Sequence, residues 1–276
     1  MVQQSYEGVT IIKKIAIQNN KGGTLKTTTA TSLASILSQN PENNVLLVDA
    51  DGQGNASVTF GENPVEYYNT LYDLLMTDKD IALEDILVEL KPNLHLLPSN
   101  SDLDYLDQDV WSNQKKHPFP FTLLKNALTS RFEASRTHII FDASPSMNLV
   151  NMNILAYVDE VIIPFEAEET ALKGIVKMID KIDEFRSEYN PNLQIGALLP
   201  VKIEARTNLH KQILDEAVAY AEDNDIFIFN DGIPKSIKHA ESVTQEGLPS
   251  VETIKNNRAV QSYYKFVESL IERNVL

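Results

Sequence analysis

Cysteine is missing altogether from the 276 residues. Its absence excludes disulfides, thiolate zinc sites and Cys-ligated iron–sulfur clusters. The five histidines offer no substitute, because none stands at a metal-ligand spacing from another. Positive charge is scarce too: 24 Lys and Arg face 39 Asp and Glu, a formal net charge of −15. That balance argues against bulk attraction to nucleic acid or anionic membranes, so any contact with a polyanion has to come from a local basic patch. No run of about eighteen apolar residues appears. Residues 1–12 also lack the basic-plus-apolar pattern of an export signal, and a cytoplasmic protein is expected. Linkers rich in Pro, Gly and Ser, internal repeats and low-complexity tracts are absent as well. At 43% hydrophobic and 23% charged residues, the composition is that of a globular protein, and residues 1–276 are read as one domain.

What is present is an alternation of short apolar runs with helical patterns. Residues 11–17, 45–48, 94–97, 138–141, 161–163, 193–199 and 226–229 read as strands, and residues 27–37 as a helix closed by Asn40-Pro41. Such alternation predicts an α/β fold, a mostly parallel central sheet flanked by helices on both faces. Several of these runs end in polar residues, glycine or proline, and ligands bind at the carboxyl ends of strands in open α/β sheets. Between 102 and 121 the pattern weakens into an acidic segment holding the only tryptophan, Trp111, and reads as a surface connection with some helix.

The first strand runs into Asn20-Lys21-Gly22-Gly23-Thr24-Leu25-Lys26-Thr27-Thr28 and then a helix. These residue types suit a phosphate-binding loop. Gly22 and Gly23 allow a tight backbone whose N–H groups point at phosphate oxygens, and the helix adds its positive end. Lys26 supplies a mobile charge for the β- and γ-phosphates, and the Thr27 hydroxyl is placed to ligate Mg²⁺. Aligned on G-x-x-x-x-G-K-[ST], the glycine positions hold Asn20 and Leu25 instead. An additional lysine, Lys21, precedes the glycine pair.

This Lys-Gly-Gly-x-x-Lys-Thr-Thr pattern resembles the deviant Walker A loop of the ParA/MinD ATPases, in which the early lysine reaches across a dimer interface to the partner's nucleotide. Members of that family usually carry glycine where this chain has Leu25. The resemblance implies a P-loop NTPase fold of the deviant Walker A class, and it extends over roughly residues 11 to 255. Asp49-Ala-Asp51-Gly52-Gln53-Gly-Asn55-Ala is similar to a second family signature, with Gly52 in place of a proline. By that resemblance Asp51 positions or activates the attacking water, Asp49 lies near the magnesium shell, and Gln53 and Asn55 belong to a nucleotide-sensitive switch. Read without the resemblance, the same acids could cap a helix or a turn. Asp142, at the end of an apolar strand, is the Walker B candidate, able to hold a magnesium-bound water opposite Thr27. Glu168 and Glu169 are explained by the preference for acids in a first helical turn and are given no catalytic part. Ile233 and Pro234 resemble the late loop that packs on adenine or ribose.

Arg206, Lys235 and Lys238 sit where proteins resembling the chromosomal Soj type carry arginines that contact DNA backbone. Lysine for arginine keeps the charge that counterion release depends on, though it loses the bidentate fork. The resemblance thus implies an ATPase with ATP and Mg²⁺ as cofactors, active in partition of DNA, plasmid DNA being favoured. An ATP-bound homodimer would bind DNA non-specifically and associate with the nucleoid, and a ParB-like centromere-binding protein would stimulate hydrolysis. No membrane contact is expected. Two alternatives stay open on sequence: a MinD-like membrane-cycling ATPase, and a nucleotide-gated scaffold with little hydrolysis.

Overall fold

The computed structural model describes residues 12–77, 81–128, 133, 137–204 and 208–276. Eight strands form one sheet: β1 (Lys13–Ile17), β2 (Val45–Ala50), β3 (Val88–Lys91), β4 (Leu94–Leu97), β5 (His138–Ala143), β6 (Glu160–Glu166), β7 (Gln194–Ile203) and β8 (Ile233–Pro234). Their order is β3-β4-β2-β5-β1-β6-β7-β8, parallel throughout except for the β3–β4 pair.

The interiors of the central strands are mostly apolar because both faces of the sheet are covered there. Side chains alternate between two cores. From β2 and β5, Leu46, Val48, Ile139 and Phe141 enter one cluster, while Val45, Leu47 and Ile140 enter the other. The first face is covered by α3 (Leu71–Met76), α4 (Leu106–Ser112), α5 (Leu123–Leu128), α6 (Leu149–Leu155), α7 (Ala171–Glu188) and α8 (Asn208–Asp223). The second is covered by α1 (Lys26–Leu37), α2 (Asn55–Thr59), α10 (Ser250–Thr253) and α11 (Arg258–Glu272), with α9 (Lys238–Glu246) packed beside them. The terminal helix α11 starts at Asn257, whose side chain accepts from the N–H groups of Ala259 and Val260, and it buries Val260, Tyr263, Phe266, Val267 and Leu270. That spacing is one helical stripe.

Two strand boundaries differ from the sequence reading for reasons of pairing. Residues 226–229 do not form a ladder strand: a single parallel bridge joins Ile228 to Leu198, and the edge strand β8 begins later, at Ile233. Pro200 does not end β7, which continues to Ile203. Leu198 gives its N–H to Phe227 O at 2.8 Å. Two residues on, Pro200 faces the same way, into the gap between that bridge and β8, so no ladder bond is lost. The antiparallel β3, half-exposed and short, has no counterpart in the sequence reading. The segment from 102 to 121 does contain helix, in α4 and flanking 3₁₀ turns.

Candidate functional site

Consecutive connections from β1 and β5 leave in opposite directions along the sheet, so the carboxyl ends of β1, β5 and β2 open a crevice where the strand order reverses. The loop joining β1 to α1 lies there. Gly23 adopts φ 77°, and Leu25, at the N-cap of α1, adopts φ 55° and ψ 31°. Leu25 therefore holds the left-handed conformation that glycine enters without cost. Its carbonyl still accepts from Thr29 N–H at 2.8 Å, so α1 starts normally behind it. An open cavity of about 420 Å³ is lined by Gly22, Gly23, Leu25, Lys26, Thr27 and Thr28 on one side and by Asp51, Gln53, Asn55 and Pro145 on the other. Asn20, Lys21 and Thr24 instead face a second cleft of about 310 Å³, together with Glu166, Lys173 and Lys177. The predicted loop residues thus border two adjoining spaces.

Lys26 is buried and its ammonium donates to the Lys21 carbonyl at 3.0 Å. Burial lowers its pKa, opposed by the charges of Asp142 and Asp51. Asp49 and Asp142 stand side by side in register on β2 and β5, both buried. Asp49 Oδ2 accepts from the N–H groups of Ala56 (3.0 Å) and Ser57 (3.2 Å), so this carboxylate caps α2. The capping alternative left open on sequence is therefore realised at Asp49. Asp142 differs: neither of its buried oxygens accepts a hydrogen bond among the described residues. Burial pushes its pKa well up and Asp49 adds to the rise, against smaller opposing effects of the Thr27 hydroxyl and Lys26. Two adjacent buried acids with an unpartnered pair of oxygens are costly in isolation. Among the described residues no cluster of three or more His, Cys, Asp or Glu side chains forms a metal cage. The donor set suits Mg²⁺, which takes one or two carboxylates and completes its shell with water and phosphate. Thr27 and Asp142 are the residues that could hold it, with Asp49 behind them.

Asp51 is half-exposed at the rim, where its Oδ1 accepts from Gln53 N–H at 3.0 Å. A Cβ at Gly52 would meet the carboxylate of the exposed Asp104, which would have to swing aside to make room for it. Ile233 is fully buried in the core, which leaves Pro234 and the backbone of β8 as the accessible part of that predicted pair. Lys235 pairs with Glu204, and Lys238 with Glu241. Arg206 lies outside the described residues.

Glu168 departs from the sequence reading. It precedes α7 rather than lying in its first turn, which holds no acid, and its carboxylate forms an ion pair with Lys21. Glu166 and Lys202, not singled out in the sequence, pair at 3.0 Å beside the same loop. Only tertiary structure joins these residues, so no local pattern could reveal them.

The family profile described as an AAA domain matches residues 12–195. A ParA family protein of Mycoplasma pneumoniae is 32% identical over 259 residues, covering 91% of this chain and 93% of the relative. The chromosome partitioning protein ParA of Caulobacter vibrioides strain NA1000 is 29% identical, covering 95% of each chain. Among solved structures, a putative plasmid partition protein of Borrelia burgdorferi bound to AMPPNP superposes with a TM-score of 0.75 at 24% identity, covering 96% of this chain and all of that one. A parallel sheet with a phosphate-binding loop at its switch point, acids at the ends of β2 and β5, and a match along nearly the whole chain lead to one conclusion: the protein belongs to the ParA family of partition ATPases.

Proposed function

We propose that residues 1–276 form one ATPase domain that binds ATP with Mg²⁺, dimerises on it, and partitions DNA, plasmid DNA in particular. The observation that carries this reading is Asp142, whose two buried oxygens lack partners beside Asp49 and beneath the Thr27 end of the loop. A magnesium ion there would neutralise charge developing on the phosphates. The loop N–H groups of residues 20–28 hold the phosphates, and Lys26 balances the charge of the β- and γ-groups. Asp51, on the rim facing the loop, orients the attacking water. Pro234 and the backbone at Ile233 meet the base. Catalysis on this view is positioning and charge stabilisation.

Lys21 of each protomer acts on the nucleotide held by the other, which makes the dimer dependent on ATP. Lys235, Lys238 and Arg206 supply the cations for non-specific DNA binding and nucleoid association, and a ParB-like centromere-binding protein stimulates hydrolysis. A membrane-cycling alternative gains no support from α11, whose apolar stripe is buried in the core. Among the described residues no helix is long and apolar enough to cross a membrane.

The test is calorimetric titration of a slowly hydrolysed ATP analogue with and without Mg²⁺. Binding by the parent should tighten at least about tenfold with Mg²⁺, and Asp142→Asn should lose most of that gain. No binding by the parent at millimolar analogue with Mg²⁺ would overturn the reading.

A further inference from the structure

Lys202 occupies an unusual place in β7. It has φ 55°, a left-handed conformation for a non-glycine residue inside a strand. It lies where the register between β7 and β8 shifts between Val201 and Ile203, so one extra residue is accommodated there as a bulge. The loop before β8 closes tightly on this point: a Cβ on Gly232 would stand 2.7 Å from Ile203 Cγ1 and 3.0 Å from the Pro200 carbonyl. The bulge turns the lysine toward the phosphate-binding loop. A Cβ placed on Gly23 would stand 3.7 Å from Lys202 Nζ.

The ammonium is held by Glu166 Oε2 at 3.0 Å, the last residue of β6 and one register step from Lys202. Both side chains are more than a quarter exposed, 29% and 26%, so this pair contributes little stability. It does not account for a strained lysine at the carboxyl end of β7, and backbone outliers of this kind concentrate at ligand sites. A parallel lies alongside. Two residues after Glu166, Glu168 holds Lys21 in the same manner. The end of β6 and the residues just after it thus present two carboxylates, each restraining a lysine beside the glycine pair.

We propose that Lys202 is a phosphate-contacting residue of the nucleotide site, a cation acting within its own protomer, and that Glu166 is its counter-ion until a nucleoside triphosphate supplies a stronger one. The inference rests on the nucleotide reading of the loop. Glu166 competes with the phosphates for Lys202, so removing either partner breaks the same ion pair but has opposite consequences for binding.

The experiment is titration of AMPPNP with Mg²⁺ into the full chain and into Lys202→Gln, Lys202→Arg, Glu166→Gln and the Lys202→Gln/Glu166→Gln double variant, with thermal melting of each. Lys202→Gln should weaken binding about tenfold or more, the scale of a lost hydrogen bond to a charged group. Lys202→Arg should keep most of the affinity, Glu166→Gln should tighten it, and the double variant should follow Lys202→Gln. Equal affinity of Lys202→Gln and the parent would overturn the proposal. So would weakening by Glu166→Gln as large as that by Lys202→Gln, which is the mark of a merely structural pair. Failure of the parent itself to bind would instead remove the nucleotide reading on which the proposal stands.

Discussion

Leu25 shows how a residue can break a sequence pattern without breaking the loop. The left-handed conformation costs an ordinary side chain about 1–2 kcal/mol, and the chain tolerates this because Leu25 also packs partly against the core under α1 and α11. Leu25→Gly removes the strain and the packing together, so the two changes nearly offset. The melting temperature should stay close to the parent's, and nucleotide affinity should change by less than about threefold. A loss of binding in the glycine variant would mean that the leucine side chain itself shapes the site. The loop, Asp51 and Asp142 were legible in the sequence because each is a short pattern at the end of an apolar run. Capping by Asp49, whose partner lies only 7 residues on, was one of the readings open in the sequence, whereas the pairings of Lys21 and Lys202 were not, since their partners lie 147 and 36 residues away along the chain.

At the scale of elements, α9 carries Lys238 on its exposed side and His239 on its buried side. His239 Nδ1 shares a 2.7 Å hydrogen bond with Ser250 Oγ of α10, and its ring meets Tyr263 of α11 edge-on. Burial lowers the His239 pKa to about 4. The unfolded chain takes up this proton near the ordinary value of 6.5, so the neutral buried form stabilises the fold above that pH. The contribution is lost as pH falls from about 6.5 toward 4. His239→Asn keeps a partner for Ser250 but does not titrate. Measured by urea unfolding, the stability advantage of the parent over this variant should shrink by about 2 kcal/mol between pH 7 and pH 5. A constant difference would show that His239 does not titrate across the transition.

The proposed DNA binding draws on Lys238 of the same helix and on Lys235 just before it. Lys235 and Lys238 are engaged by Glu204 and Glu241, so in the proposed DNA binding the phosphates would have to displace those acids. Reversing both lysines to glutamate should abolish ATP-dependent DNA binding while sparing nucleotide binding. Glu241→Gln should strengthen DNA binding, and Lys238→Gln should lower the log–log salt slope by about one, the share of a single phosphate contact. Unchanged DNA affinity in the double reversal would place the cations elsewhere. The strands that were legible as apolar runs are those buried on both faces, such as β2 and β5. The run at 226–229 misled because its place beside β7 allows only one bridge, and β3 escaped because a short half-exposed edge strand leaves little pattern.

For the whole molecule, the acidic balance of −15 means that self-association has to overcome repulsion between two like-charged protomers. Nucleotide-dependent contacts are the natural source of that energy, and the proposed division of labour assigns them to Lys21. In the structure Lys21 is held by Glu168 within the same chain. Exchanging that carboxylate for the phosphates of a second protomer's nucleotide would couple dimer formation to ATP. The proposal gives Asp51 a separate task, acting on water after the phosphates and Mg²⁺ are in place.

The two roles separate in one measurement, size-exclusion chromatography with light scattering on the parent, Lys21→Ala and Asp51→Ala, each loaded with ATP and Mg²⁺. Asp51→Ala should persist as a dimer because it binds but does not hydrolyse. Lys21→Ala should elute as a monomer that still binds ATP through Lys26 and the loop amides. Dimerisation of Lys21→Ala with ATP as complete as that of the parent would contradict the account, because the lysine would then play no part across the interface.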